Sequence, residues 1–253
     1  MAGAETVTLL KRLLYPFIDV AQVRPALAGY VRYIQDWRKY SSLEGSEPLR
    51  VSDAYPCVLD LSAATPIDAH YFYQDIWAFR AIHRSGVRRH VDVGSRAIYV
   101  GMLSAITRVV FVDIRPLIVD LEGYEACEGS ILDLPFEDAS VGSLSCLHVA
   151  EHIGLGRYGD PLDPEGTTKA ARELARVVAP GGNLYFSVPV GRPRVAFNAH
   201  RIHAPEEVID MFTGMRLVSF SAVDDHGAFH AEASPVEFND AEYACGMFHF
   251  ATR

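Results

Sequence analysis

His90-Val91-Asp92-Val93-Gly94-Ser95-Arg96, followed by a helix-like stretch at 97–106 and then Val109-Val110-Phe111-Val112-Asp113, decides how this chain of 253 residues is read. The order is strand, glycine turn, helix and second strand, with a carboxylate at the end of each strand. Val91 and Val93, then Val109 to Val112, are β-branched or aromatic and free of Pro, which suits buried parallel strands. A small-residue turn at such a strand end lets a ligand come close to backbone N–H groups. A carboxylate about twenty residues further on is where nucleotide-type sites hold ribose hydroxyls. Only Gly94 stands where two or three glycines are usual.

Around this unit the chain alternates. Strands are expected at 90–94, 109–113, 124–128, 142–148, 183–190, 215–223 and 245–251, and helices at 97–106, 165–179 and 205–213. Such alternation makes a mostly parallel sheet covered on both faces. Upstream, Phe72, Ile76, Phe79 and Ile82 fall on one side of a helix over 68–85 that stops at Gly86. Residues 57–61 suit a short strand, and 41–53 a loop. Leu9, Leu10, Leu13, Leu14 and Phe17 have helical spacing, with Pro16 and Pro25 breaking or restarting the pattern. The expected division is a helical extension at 1–85 and an α/β domain at 86–253.

Composition narrows the partners. Lys and Arg number 23 against 32 Asp and Glu, a net charge of −9. That disfavours nucleic acid, whose binding rests on basic patches. Residues 7–20 are too short and too charged to span a bilayer, and no signal-peptide cleavage pattern follows them. A basic amphipathic N-terminus could touch a membrane surface, though packing on the main domain explains it as well. Cys57, Cys127, Cys146 and Cys245 have no paired spacing and read as small core residues of a reducing, cytoplasmic protein.

Further motifs follow the glycine turn. They are Gly129-Ser130-Ile131-Leu132-Asp133-Leu134-Pro135-Phe136-Glu137-Asp138, then His148-Val149-Ala150-Glu151-His152, then Ala179-Pro180-Gly181-Gly182-Asn183-Leu184 leading into a strand. In this order they closely resemble the class I S-adenosylmethionine-dependent methyltransferases over about residues 85–253. The stretches Glu151-His152-Ile153-Gly154-Leu155-Gly156-Arg157-Tyr158-Gly159-Asp160-Pro161, Asp113-Ile114-Arg115-Pro116 and Asn198-Ala199-His200-Arg201-Ile202 are similar to a methyltransferase-like subgroup labelled as domains of unknown function. The resemblance implies a Rossmann-like, mostly parallel seven-stranded sheet whose last strand is antiparallel, with an N-terminal helical cap. It also implies S-adenosylmethionine as cofactor.

Position by position, the resemblance places Gly94 and Ser95 at the methionine part of the cofactor and Asp113 at its ribose hydroxyls, with Asp92 and Ile114 also among the cofactor-binding residues. Ser130 and Ile131 flank the adenine, and Leu147 with His148 lines the floor. Arg96 stands where a glycine is common; it either pairs with the methionine carboxylate or is an ion-paired turn residue. Ser130 replaces an acid often found beside adenine. His148, Glu151 and His152 are candidate bases for the acceptor, with Arg157 or Tyr158 orienting it; bracing of the loop by Glu151 and His152 is the plainer reading. Asn198, His200, Arg201 and His203 form a possible pocket rim, and Tyr71 and Tyr73 a possible lid.

His148-Val149-Ala150-Glu151-His152 also fits the H-x-x-E-H zinc pattern. That pattern needs both histidines on one helical face, and Gly154, Gly156 and Gly159 work against such a helix. No metal is therefore expected. The function expected is methyl transfer to a small-molecule or sugar-containing acceptor. The alternative is a catalytically silent binding protein on the same fold.

Overall fold

The computed structural model describes residues 19–252 together with Tyr15. The chain divides into two units, Met1–Pro66 and Ile67–Arg253. In the first, helix α1 (Val20–Ser41) starts at Asp19, whose side chain accepts a hydrogen bond from the Ala21 N–H. Pro25 lies inside α1 and does not break it. Near the helix start it removes one backbone hydrogen bond, which the rest of the helix tolerates. The expected helix through residues 9–17 lies outside the described residues. Residues 57–61 form no strand, and Cys57 is exposed.

In the second unit the elements follow as α2 (Ala69–Ser85), β1 (Arg89–Val93), α3 (Ala97–Leu103), β2 (Arg108–Asp113), β3 (Tyr124–Glu128), β4 (Val141–Leu147), α4 (Gly166–Val177) and β5 (Val178–Val190). Then come β6 (Arg194–Ala196), β7 (His200–Ile202), α5 (Pro205–Met211), β8 (Arg216–Val223), β9 (Phe229–His230) and β10 (Ala244–Ala251). The expected strands and helices are present within a few residues at most ends. The boundary differs: α2, expected with the N-terminal extension, belongs to the α/β unit. Ala78 and Ile82 of α2 pack with Val109 and Phe111 of β2 and with Tyr99, Val100 and Leu103 of α3.

The main sheet has the order β3-β2-β1-β4-β5-β10-β8-β9. Strands β1 to β5 pair in parallel, and β10 is antiparallel to both β5 and β8. The sheet thus has eight strands where seven are expected, the eighth being the two-residue β9. A separate β6–β7 hairpin lies in the segment read as polar rim. Alternation along β2 explains the covered faces. Val110 and Val112 join the cluster containing Leu174 of α4 and Val208 of α5, while Val109 and Phe111 point to α2 and α3. Parallel order brings the carboxyl ends of β1, β2, β4 and β5 to one edge, where ligands of open α/β sheets bind.

Candidate functional site

The turn after β1 is built from inside. Asp92 is fully buried. Its Oδ1 accepts from the Ser95 N–H at 3.0 Å, and its Oδ2 accepts from the Ser145 hydroxyl. Burial pushes Asp92 up to about 7, with the Ser145 and Ser95 hydrogen bonds opposing. Ser95 Oγ in turn accepts from the Leu147 N–H at 3.0 Å, tying the turn to the end of β4. His90 is buried between the Ser143 and Ser145 hydroxyls, each 2.8 Å away. Burial lowers it to about 3, so it stays neutral.

Gly94 has φ +69°, and its N–H donates to Val112 O at 2.9 Å. The turn's first two N–H groups are therefore spent within the protein, against the expectation that they greet a ligand. A Cβ on Gly94 would lie 2.9 Å from Val149 Cγ1 and 3.6 Å from Asp113 Oδ2. Asp113 Oδ1 accepts from the Arg115 N–H at 2.7 Å. Its Oδ2 takes no hydrogen bond among the described residues and faces the turn. Turn and acid, separated in sequence, meet across adjacent strand ends.

Other positions differ from their assigned roles. Ile131 and Leu147 are buried core side chains. Ile114 is exposed. Ser130 Oγ accepts from the Leu132 N–H at 3.1 Å and closes a local turn. The Arg96 guanidinium lies over the Tyr71 ring, 4.7 Å from its centre, and 3.6 Å from Asp75 Oδ2. Of the two readings of Arg96, this geometry is the ion pair. Burial raises Asp75 to about 6, with Arg96 and Gln74 opposing. Tyr71, Phe72, Asp75, Arg96, Ile98 and Met102 line a groove of about 540 Å³ between α2 and α3.

At the end of β4 the chain bends sharply. His148 has φ +54°, and its N–H donates to Ser187 O at 2.9 Å. A short 3-10 turn, Ala150–His152, replaces the two-turn helix that the zinc pattern needs. His148 Nδ1 lies 3.2 Å and His152 Nε2 3.7 Å from Glu151 Oε1. Burial works against charge on both Glu151 and His148. Glu151 nevertheless lies below its ordinary range, held there by His148, and His148 above its own, raised by Cys245 and then by Glu151. His152 is held below its ordinary value, chiefly by burial against the pull of Glu151. Its Nδ1 lies 2.6 Å from Ala199 O, which also accepts from Arg157 at 3.1 Å. The candidate bases and Arg157 are thus assembled together.

The glycine-rich loop is organised by Asp160. Its Oδ2 accepts from the Gly154 N–H at 2.6 Å and its Oδ1 from the Tyr158 N–H at 3.2 Å. Gly154 has φ +80°, and a Cβ there would sit 2.1 Å from Asp163 O. The loop closes on itself only with glycine at that position. Arg201, expected on a polar rim, is buried and straps the loop, donating to Ile153 O at 2.5 Å and Asp163 O at 2.8 Å. His200 packs against Tyr243 instead, ring centres 4.8 Å apart.

Sequence reasoning missed His70, Gln74 and Cys245. Gln74 is buried and accepts from the Ser187 hydroxyl at 2.6 Å. Antiparallel pairing of β10 sets Cys245 opposite Pro189 at the end of β5, beside His148. No spacing pattern signals a contact made by a strand that returns from the far end of the chain.

Residues 91–186 match a family model described as a methyltransferase domain. Residues 139–242 match one described as a Caenorhabditis protein of unknown function, DUF268. None of the curated proteins matches the sequence. Among solved structures, the N-methyltransferase NodS from Bradyrhizobium japonicum WM9 in complex with S-adenosyl-L-homocysteine is 14% identical with a TM-score of 0.52, covering 86% of this chain and 97% of its own. A second NodS structure from the same strain gives 16% and 0.50, covering 73% and 97%. A candidate sarcosine dimethylglycine methyltransferase from Galdieria sulphuraria gives 13% and 0.52, covering 71% and 85%. At these identities the structures speak for the fold alone. With its strand order and antiparallel β10, the α/β unit has the Rossmann-like fold of the class I methyltransferases, and residues 91–186 within it match a methyltransferase domain.

Proposed function

We propose that the chain transfers a methyl group from S-adenosylmethionine to a small-molecule or sugar-containing acceptor. The observation that carries this reading is Asp113 Oδ2 facing the Gly94 turn, within the segment that matches a methyltransferase domain. The NodS structure in complex with S-adenosyl-L-homocysteine supports the ligand class. The net charge of −9 favours a small acceptor over nucleic acid, and the free cysteines suit a reducing cytoplasm.

Asp113 would accept hydrogen bonds from the ribose hydroxyls, each charge-assisted and contributing about 1.5–3 kcal/mol. Because the Gly94 and Ser95 N–H groups are occupied, the turn would meet the ligand's methionine part through its other backbone atoms. Backbone at Ser130 and Ile131 would border the adenine. The sulfonium of the cofactor supplies its own leaving group, so the protein's task is alignment, worth up to about 7–11 kcal/mol. Arg157 and Tyr158 would orient the acceptor. His152, kept neutral at pH 7 by burial, would take the acceptor's proton, and Glu151 would stabilise the imidazolium formed.

Thermal denaturation with S-adenosylhomocysteine tests the reading. A hundredfold excess over Kd should raise stability by about 2.7 kcal/mol in the wild type and not in Asp113→Ala. Labelled methyl transfer to a panel of hydroxyl and amine acceptors then tests turnover. Equal behaviour of both proteins at millimolar ligand overturns the proposal.

A further inference from the structure

His70 at the start of α2, His148 at the end of β4 and Cys245 in β10 bring one ligand atom each within 4.8 Å of one another. Two imidazole nitrogens and a thiol sulfur are the donor set of zinc; magnesium and calcium take oxygen. His148 is already oriented for such a role. Its Nε2 lies 3.3 Å from Cys245 Sγ, while its Nδ1 lies 3.2 Å from Glu151 Oε1. A carboxylate on the second ring nitrogen is the usual device that fixes the tautomer of a metal-binding histidine.

Glu151 supplies the independent observation. It is fully buried; among the described residues the groups facing it are the nitrogens of His148 at 3.2 Å and His152 at 3.7 Å, both on Oε1, and Oε2 has no hydrogen-bond partner. A buried carboxylate without donors is costly unless opposite charge stands close. A His148 imidazolium or a divalent cation on the far side of its ring provides that charge, and the convergence of His70 and Cys245 on the same ring favours the cation. His148 also holds a left-handed backbone, φ +54°, which a non-glycine residue adopts at a cost and which aims the ring at the cluster.

We propose that His70, His148 and Cys245 bind a zinc ion, with Glu151 orienting His148. Three protein ligands leave a coordination position for water or an acceptor heteroatom. The zinc pattern in the sequence paired His148 with His152. The structure turns His152 to Ala199 and Arg157 and draws the other ligands from α2 and β10. Cys245, His148 and Glu151 alone would also align as a thiol nucleophile, its base and an orienting acid. Cys245 is fully buried in the sheet, and His70 converges on the same point, so the ion is favoured.

The full-length protein, incubated with zinc sulfate and desalted, should retain about one zinc per chain by elemental analysis, as three-ligand sites do. Cys245→Ser and His70→Gln should lose it. Glu151→Gln should weaken affinity about 10-fold or more. Cys146→Ser, at an equally buried cysteine outside the cluster, should keep it. The wild type loaded with cobalt(II) should show a thiolate-to-metal absorption band, a readout that needs no variant. Zinc below a tenth of stoichiometry, as no bound site would give, overturns the proposal, as does zinc kept by Cys245→Ser or an absent cobalt band. S-adenosylhomocysteine binding is measured separately on metal-free protein, so either reading can fail while the other stands.

Discussion

Asp113 Oδ2 lies 3.6 Å from the point where a Cβ on Gly94 would sit, so the β1 turn and the β2 acid share one small space. Filling that space is expected to act on ligand and fold together. Gly94→Ala must hold φ +69° and meets Val149 Cγ1 at 2.9 Å. Stability should fall by about 1–2 kcal/mol from the left-handed backbone, measured by urea denaturation. Calorimetry should register weakened S-adenosylhomocysteine binding.

Asp113 itself carries little of the fold, since its Oδ1 accepts one local N–H. Asp113→Asn should leave Tm nearly unchanged. Loss of a charge-assisted acceptor should raise the Kd for S-adenosylhomocysteine about tenfold or more, equivalent to about 1.5–3 kcal/mol. An unchanged Kd by titration calorimetry would remove Asp113 from the site.

Asp92 makes stability depend on pH with a definite sign. Its carboxyl titrates at about 7 in the folded protein and near 3.9 when unfolded. Between these values the folded state binds more protons, so this residue's contribution falls as pH rises. Asn in its place keeps an acceptor for the Ser95 N–H and a donor to Ser145. Asp92→Asn should therefore lose less stability from pH 5 to pH 8, about that interval, than the wild type does in parallel urea titrations.

Arg201 ties the loop that runs from Ile153 to Asp163. Arg201→Met should uncover two carbonyl groups and cost about 1.5–3 kcal/mol, read as a drop in Tm. The Asp113 side of the site is untouched, so S-adenosylhomocysteine affinity should hold. Hydrogen exchange should quicken within residues 153–163 before it changes elsewhere.

Arg96 pairs with Asp75 and covers Tyr71 at a partly exposed position. Arg96→Ala should change stability by at most about 1 kcal/mol and S-adenosylhomocysteine affinity by no more than about threefold. Asp75 should titrate still higher, because the cation opposing its burial is gone. A large loss of affinity would show that Arg96 leaves Asp75 for the ligand.

Strand identity was legible because burial on both faces requires unbroken apolar runs, as in Val109 to Val112. The downstream motifs fixed the order of elements, and with it the edge at which Asp113 would appear. The start of β5 is hidden in the sequence, because Pro180-Gly181-Gly182 disguises a strand that begins at Val178. The unit that buries α2 is not legible in the sequence, since its periodicity reports an apolar face and says nothing of what covers it.

The amino-acid sequence by itself determined the alternating α/β architecture, the glycine turn, the acid after the second strand and the glycine-rich loop after the fourth. Each is a local pattern, set by side-chain period or by backbone freedom. The tertiary structure alone decided which polar groups remain available. It spent the Gly94 and Ser95 N–H groups and buried Asp92, turned Arg201 into a strap, and brought His70 and Cys245 to His148. Those outcomes depend on strand register and antiparallel return, which couple residues far apart in the chain and leave no spacing signature.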